Sequence, residues 1–342
     1  MERIQNTPKV SVVIPVYNVE EYVGECLDCL EKQTFRDFEI IAVNDGSKDQ
    51  SLRVLREYEE KMPNLRILDQ PNSGAAQARR SGLNMARGEY VVFVDADDRM
   101  SPLYLGSLYY AAVEADADIS CCNYRFDFEN GMKMIYPCRV GGVLTHDDAM
   151  RKLIDDWCIQ GFLWNKMFRR KLFLEHDILL PTMCFEDMII NNQLFFYANR
   201  VAAVKKALYY YRQRRTSALN TMNAKKINDF FRAMLMIRGM LEERGEYKKY
   251  ERNFRTVCFK TRNCICYYII QMHIREHSSG DMWKNLTRAR HAMRVIVKPE
   301  SMVIQKGMDT NIVQPPVYGQ VVAGERKVPL RPGFAAAAGV LF

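Results

Sequence analysis

The 342-residue sequence predicts an α/β fold, an open and mostly parallel sheet with helices on both faces, followed by a C-terminal helical region. Three observations carry that reading. Short, nearly continuous apolar runs recur through the first 125 residues, as strands covered on both faces do. Helical patterns with recognisable starts lie between them, the βαβ succession of a sheet with right-handed crossovers. Beyond residue 223 the apolar period becomes that of amphipathic helices.

Strands are expected at Lys9 to Val16 (KVSVVIPV), Phe38 to Val43 (FEIIAV), Leu65 to Leu68 and Tyr90 to Val94 (YVVFV). Asn18 with Glu21 and Ser47 with Gln50 fit the capping-box spacing, and Ser101 followed by Pro102 reads as an N-cap with proline at the first helical position. From about residue 130 to 215 helices and short strands mix, with Trp157, Trp164, the Phe185-Glu186-Asp187 cluster and an apolar helix from Met188 to Tyr197. Residues 200–212 alternate as a strand or hairpin, and 223–297 read as two or three basic amphipathic helices. From about Gly307 no amphipathic period remains, so the end is expected to be a disordered tail. The expected division is a catalytic domain over 1–218, a basic helical region over 219–306 and the tail over 307–342.

Hydrophobic residues at 48% and charged residues at 26% place the chain in the globular class. The net charge of +8 is unevenly held: residues 1–200 carry 23 Lys and Arg against 31 Asp and Glu, and residues 201–306 carry 23 against 8. An acidic front half argues against nucleic acid as a partner, because phosphate-tracking surfaces need clustered cations. The basic rear half suits anionic lipid or a phosphorylated acceptor, or is simply a solvated set of helices. Ten irregularly spaced cysteines among apolar residues suit reduced, buried thiols in a cytoplasmic protein, and Cys26-x-x-Cys29 falls inside a helical pattern with no second pair. Neither a signal peptide nor a membrane span is expected, since the longest apolar runs fall far short of about 18 residues. Membrane contact would then be peripheral.

Ligands in open α/β sheets bind beyond the carboxyl ends of the strands. Three runs here end in polar clusters, Pro15-Val16-Tyr17-Asn18, Asn44-Asp45-Gly46-Ser47 and Asp95-Ala96-Asp97-Asp98, which are expected to line one crevice. Three carboxylates within four residues repel one another unless a cation neutralises them, and hard oxygen ligands suit Mg²⁺ or Mn²⁺. The same acids also suit a turn ahead of the helix at Ser101. Asp45 can accept from a base N–H, with Gly46 allowing close backbone approach, or the pair is an ordinary Asp-Gly turn. Tyr17 offers an aromatic face, and Asn72-Ser73-Gly74 leads into a helix bearing Arg79 and Arg80, which suits phosphate.

Taken together, Pro-x-Tyr-Asn, Asn-Asp-Gly-Ser, Asn-x-Gly-x-x-x-Ala-Arg and a post-strand Asp-x-Asp-Asp, in this order, resemble the family 2 glycosyltransferases of the GT-A fold, in particular bacterial polysaccharide and cell-wall sugar transferases. The resemblance covers roughly residues 8–218. It implies a nucleotide-sugar donor, a UDP-sugar, with Pro15 and Tyr17 near uracil, Asp45 accepting its N3–H and Arg79 near the donor phosphates. It further implies that Asp95 holds the ribose and the metal's water shell, and that Asp97 binds the metal bridging the diphosphate. Arg80, where the family has a smaller polar residue, departs from the pattern. Downstream, Trp164-Asn165-Lys166 and Phe185-Glu186-Asp187 resemble the family's sugar-binding and base motifs. Trp164, Lys166 and Glu186 are then expected near donor or acceptor sugar, with Asp187 as the base of an inverting transfer; the bland alternative for Glu186-Asp187 is an acidic helix start. Arg212 and Arg215 with Ser217 resemble an arginine-rich loop that closes over a diphosphate, or are surface charge.

The implied acceptor is a hydroxyl of a glycan or lipid-linked glycan, and the implied place of work is the cytoplasm, at the inner face of the membrane. A sugar-nucleotide nucleotidyltransferase is the first alternative, disfavoured because residues 17–21 (YNVEE) lack the glycine-rich, basic loop it needs after strand one. The second is a non-catalytic transferase-like protein, against which the intact Asp95, Asp97 and Asp187 speak. The rear helices are candidates for homo-oligomer contacts, for membrane contact or for completing the core.

Overall fold

The computed structural model describes residues 7–214, 221–275 and 281–297. The β-branched runs become its buried sheet. The chain runs β1 (Val10–Val16), α1 (Val23–Glu31), β2 (Phe38–Asp45), α2 (Ser51–Glu59), β3 (Leu65–Gln70), α3 (Ala75–Met85), β4 (Tyr90–Phe93), β5 (Arg99–Met100) and α4 (Tyr104–Glu114). It continues through β6 (Ile119–Phe128), β7 (Lys133–Ile135), β8 (Gly142–Thr145), α5 (His146–Ile154), β9 (Lys166–Arg169), α6 (Lys171–Glu175), α7 (Glu186–Tyr197) and β10 (Arg200–Gln213). Three helices follow, α8 (Ala224–Glu243), α9 (Tyr247–Arg275) and α10 (Met282–Val297).

The sheet order is β3-β2-β1-β4-β9-β6-β10-β5. β1 pairs in parallel with β2 and β4, and β2 with β3, as the right-handed crossovers require. Past β4 the sheet becomes mixed: β9 runs antiparallel between β4 and β6, β10 is parallel to β6, and β5 and β8 pair antiparallel with β10. The short β9 has no periodic signature because burial on both faces and a four-residue length leave none. β10 settles the strand-or-hairpin alternative as a single strand.

The core lies along β1, β2 and β4, where Val12, Val13, Ile14, Ile41, Val43 and Val92 are fully buried. Helix α3 lies close on this surface because Gly82 has no side chain; a Cβ there would meet Val13 Cγ1 at 2.4 Å. The pairing Val16↔Asn44 and the bond from Val94 N–H to Val13 O at 3.0 Å bring the carboxyl ends of β1, β2 and β4 side by side.

The expected helix caps are corrected. Helices α1, α2 and α4 begin at Val23, Ser51 and Tyr104 without side-chain caps. Asn18 Oδ1 instead accepts from Lys48 N–H at 2.8 Å, Ser47 Oγ accepts from Asn18 N–H at 3.1 Å, and Ser51 Oγ accepts from Val19 N–H at 2.9 Å. These short polar side chains found backbone partners in the neighbouring loop, a choice that only strand pairing makes available. Ser101 Oγ accepts from Leu103 N–H at 3.3 Å, one turn ahead of the helix. Asn223 does cap its helix, accepting from Lys226 N–H at 3.0 Å.

The chain divides into two units, one holding residues 1–150 and 161–213 and the other 151–160 and 214–342. Within the second, α9 buries Phe254, Val257, Ile265 and Ile269, and α10 buries Leu286, Ala289 and Met293. Buried Arg238 of α8 donates to the Ile296 carbonyl and to Glu242 at 2.6 Å. Among the described residues no helix is long and apolar enough to cross a membrane. Eight cysteines are free thiols, whereas Cys138 and Cys158 are disulfide-bonded, which corrects the reading of all ten as reduced. Both stand in irregular segments whose path the sequence spacing does not define. The expected tail and the segment holding Arg215 and Ser217 lie outside the described residues.

Gly82→Ala is expected to lower unfolding stability by about 1–3 kcal/mol through overpacking against Val13. Gly131→Ala, with open space around its Cβ, would show only the backbone cost of its φ of +83°. Chemical denaturation of the two variants separates the terms.

Candidate active site

The loop after β2 is built around Asp45, which is 2% exposed. Its Oδ1 accepts from Gln70 Nε2 at 2.7 Å and from Ser73 N–H at 2.9 Å, and its Oδ2 accepts from Gly74 N–H at 2.8 Å. The carboxylate therefore holds the Asn72-Ser73-Gly74 loop at the start of α3. Gly46, at φ +69°, is required by that loop: a Cβ would stand 2.7 Å from Asn72 N. The close approach expected for a ligand is thus made to the protein's own backbone.

The Asp95–Asp98 turn is held from behind. Asp98 is 1% exposed and accepts from Arg212 N–H at 2.8 Å, while Arg212 Nε donates to the Asp97 carbonyl at 2.8 Å. The Arg212 guanidinium also pairs with Glu25 of α1 and lies over the Tyr22 ring at 5.0 Å. Glu25 pairs in turn with Arg99 at 3.0 Å, and Arg99 with buried Asp127 at 2.6 Å. Tyr209 Oη accepts from Asp95 N–H at 3.2 Å. Burial, with Asp97 and Asp95 adding like charge, pushes the Asp98 carboxyl well above the usual carboxylate range.

Arg79, 5% exposed, connects this turn to α7. One Nη donates to Asp95 Oδ1 at 3.1 Å and the other to Glu186 Oε1 at 2.7 Å. Desolvation alone would lower its pKa, yet Asp95, Glu186 and Asp187 together raise it, so the guanidinium stays charged. Phe185, immediately before α7, adopts the left-handed conformation at φ 64°, uncommon for a bulky residue and costing of the order of 1 kcal/mol. That turn sets Glu186 and Asp187 at the helix start. Burial first, and then the charge of Glu186, push the Asp187 carboxyl up to about 7, against the opposing pull of Arg79.

The other expected residues separate into two groups. Tyr17, 45% exposed, stands at the end of β1 beyond Pro15 with its ring open to solvent. Trp164 is 3% exposed, stacked on Tyr209 at 4.5 Å and on Phe162 at 4.8 Å between ring centroids. Lys166 is fully buried, with Nζ donating to the Phe162 carbonyl at 2.5 Å and to Asn165 Oδ1 at 2.8 Å. Trp164 and Lys166 therefore support the site from the core, because Tyr209 of β10 and Phe162 of the preceding loop stack on the indole and the ammonium has a backbone carbonyl and a side-chain amide oxygen at hand. Sequence reasoning missed Glu25, Gln70, Asp127 and Tyr209. Each acts through a contact distant in the chain, and only the alternation of Tyr209 in its strand could have hinted at one of them.

No group of three or more His, Cys, Asp or Glu side chains is gathered for a metal among the described residues. Asp95 and Asp97 are part-exposed beside buried Asp98. Two hard-oxygen carboxylates suit a cation that keeps water and substrate phosphate as its remaining ligands, the habit of Mg²⁺ and related ions, and not an all-protein cage.

Residues 11–195, which contain the constellation apart from Tyr209 and Arg212, match the family described as Glycosyl transferase family 2. The chain belongs to that family. A family 2 glycosyltransferase is an enzyme that transfers sugar, which sets aside the nucleotidyltransferase alternative. The chain is 30% identical over 258 residues to the putative glycosyltransferase EpsH of Bacillus subtilis, covering 73% of this chain and 74% of that one. The crystal structure of S. aureus TarS 1–349 in complex with UDP-GlcNAc superposes with a TM-score of 0.62 at 23% identity, over 87% of this chain and 92% of that one. The mannosyltransferase PcManGT of Pyrobaculum calidifontis, solved with GDP-Man and Mn²⁺, gives 0.51 at 16% identity, over 86% and 88%. The fold of this glycosyltransferase is GT-A with helices appended at the C-terminus.

Arg79→Met is expected to lose roughly 3 kcal/mol or more of stability, because it strands the carboxylates of Asp95 and Glu186. Adding Glu186→Gln should recover part of the loss, and a double-mutant cycle by chemical denaturation reads the coupling.

Proposed function

We propose that this family 2 glycosyltransferase moves a sugar from a UDP-sugar to a hydroxyl of a glycan or lipid-linked acceptor, with inversion at the anomeric carbon, in polysaccharide or cell-wall synthesis at the cytoplasmic face of the membrane. The observation that carries this reading is buried Arg79, whose two ion pairs join the donor-side Asp95 to the helix start bearing Glu186 and Asp187. Arg79 thus ties the proposed donor-side acid to the helix start that bears the proposed base. The uridine choice is supported by TarS with its bound UDP-GlcNAc, while PcManGT with GDP-Man marks the nearest rival base.

In this mechanism Tyr17 lies against the base, and Asp45, which fixes the 72–74 loop, keeps acceptor capacity on Oδ2 for an N–H of that base. Asp95 and Asp97 would hold a divalent cation, Mn²⁺ or Mg²⁺, whose chemistry when bound is to neutralise diphosphate charge. Arg212 positions the acidic turn, and Arg79 orients Asp95 and Glu186. Asp187 removes the proton of the acceptor hydroxyl as that oxygen attacks the anomeric carbon, and the bond to the diphosphate breaks on the opposite face with its electron pair leaving on phosphate oxygen. One displacement inverts the centre.

Asp187→Asn is expected to lower transfer at least about a hundredfold while nucleotide binding persists. Transfer equal to wild type would remove Asp187 from the mechanism. For wild type, kcat/KM should rise with pH through about 7, since only ionised Asp187 accepts a proton. The sign for stability is opposite. A carboxyl raised above its unfolded value destabilises the fold as pH climbs toward its folded pKa, so Asp187→Asn should melt no lower than wild type at pH 8, with the difference shrinking toward pH 5. Calorimetric titration of UDP with and without Mn²⁺, on wild type and Asp97→Ala, tests the donor site. Metal-dependent binding lost in the variant supports it, and binding of GDP alone would replace the base.

A further inference from the structure

The long helix α9 is charged on one side to a degree its own packing does not explain. Its 29 residues carry seven Lys and Arg against the single carboxylate of Glu251, and α10 carries four against none. At 100° per residue, Lys248, Arg252, Arg255, Phe259, Ile270 and Ile274 fall within roughly 100° of arc, one stripe about 40 Å long. The opposite side holds the buried Phe254, Val257 and Ile265, and buried Cys258 and Ile269 lie on one flank. The stripe is outward, and it is not purely polar: Phe259 is 62% exposed, Ile270 36% and Ile274 55%. Trp283, near the start of α10, is 69% exposed. A shallow recess opens on the stripe, lined by Lys248, Glu251, Arg252, Arg255, Thr256 and Phe259. Glu251 meets Arg255 at 3.5 Å, and Arg262 lies over the Phe259 ring at 4.7 Å.

We propose that this face of α9 is a docking surface for an anionic lipid bilayer, with the Lys248–Arg255 end on phosphate headgroups and Phe259, Ile270 and Ile274 entering the interface. Cations and large apolar side chains on one helix face are what an interfacial helix needs. Each added Lys or Arg near an anionic surface strengthens attachment about fivefold, and the charge here is nearly all of one sign. A soluble phosphorylated polymer would match the cations equally well and leave the three apolar side chains in water, which is why the bilayer is favoured.

The proposal deepens the membrane-side reading above, and its test does not require transfer. The full chain is sedimented with vesicles of phosphatidylcholine alone and of phosphatidylcholine mixed with phosphatidylglycerol, at low and high salt. The expected result is binding to the anionic vesicles only, weakened by salt. Two variants, Arg252→Glu with Arg255→Glu and Phe259→Glu with Ile274→Glu, should each reduce the bound fraction about tenfold or more. All four positions are exposed, so an unchanged circular dichroism spectrum is the folding control. Failure of wild type to bind anionic vesicles overturns the proposal. So does loss with the charge variant but not with the apolar one, which would assign the face to a soluble polyanion. Self-association abolished by Phe259→Glu, without vesicle binding, would assign it to a second copy of the chain. Vesicle binding without transfer keeps this surface and sinks the transfer chemistry, and transfer without vesicle binding does the reverse.

Discussion

The Arg79 guanidinium, buried between Asp95 and Glu186, is the constraint on which the rest of the site depends. A cation at 5% exposure survives only because carboxylates surround it, and those carboxylates survive partial burial only because it is there. The pairing couples two segments more than 90 residues apart in the sequence, the turn after β4 and the start of α7. It also holds down the charge density felt by Asp187. Without Arg79, burial and Glu186 would push that carboxyl higher still, beyond the range useful to a base.

Around this centre the protein uses its polar side chains to secure loops. Asp45 spends three of its hydrogen bonds on the 70–74 segment, Arg212 clasps the Asp95–Asp98 turn from β10, and Glu25 ties Arg212 to Arg99. Preorganisation of this kind lowers the cost of ordering loops when a donor arrives. Gly46 and Phe185 both stand in the left-handed region beside these contacts, and the strain at Phe185 sits immediately before the helix start that bears the proposed base.

Two features of the rear of the chain look alike in sequence and differ in structure. The cations of α8 include Arg238, which is internal and tied to Glu242 and the Ile296 carbonyl. The cations of α9 gather on an outward stripe with apolar neighbours. A count of charge does not distinguish a buried, hydrogen-bonded arginine from an exposed one; burial does.

Much of the sheet was legible because parallel strands buried on both faces must be continuously apolar, so β1, β2 and β4 lie where their runs lie, and the part-exposed edge strand β3 begins where its shorter run does. The polar ends of β1, β2 and β4 were legible for the same reason, since a run that stops at a strand end delivers its polar residues to the crevice. The helix starts at Asn18, Ser47 and Ser101 were misread, because a short side chain takes whichever backbone N–H is nearest: for Asn18 and Ser47 it belonged to another loop, and for Ser101 to Leu103, just ahead of the helix. Trp164 and Lys166 were taken for site-lining residues, but their burial is decided by the antiparallel insertion of β9, which no local pattern records. The sequence by itself determined which residue types reach the strand ends, a matter of period and order. Tertiary structure alone decided which of them face one another: the charge partners of Arg79, Asp45 and Arg212 come from distant segments, and pairing at 3 Å is a property of packing.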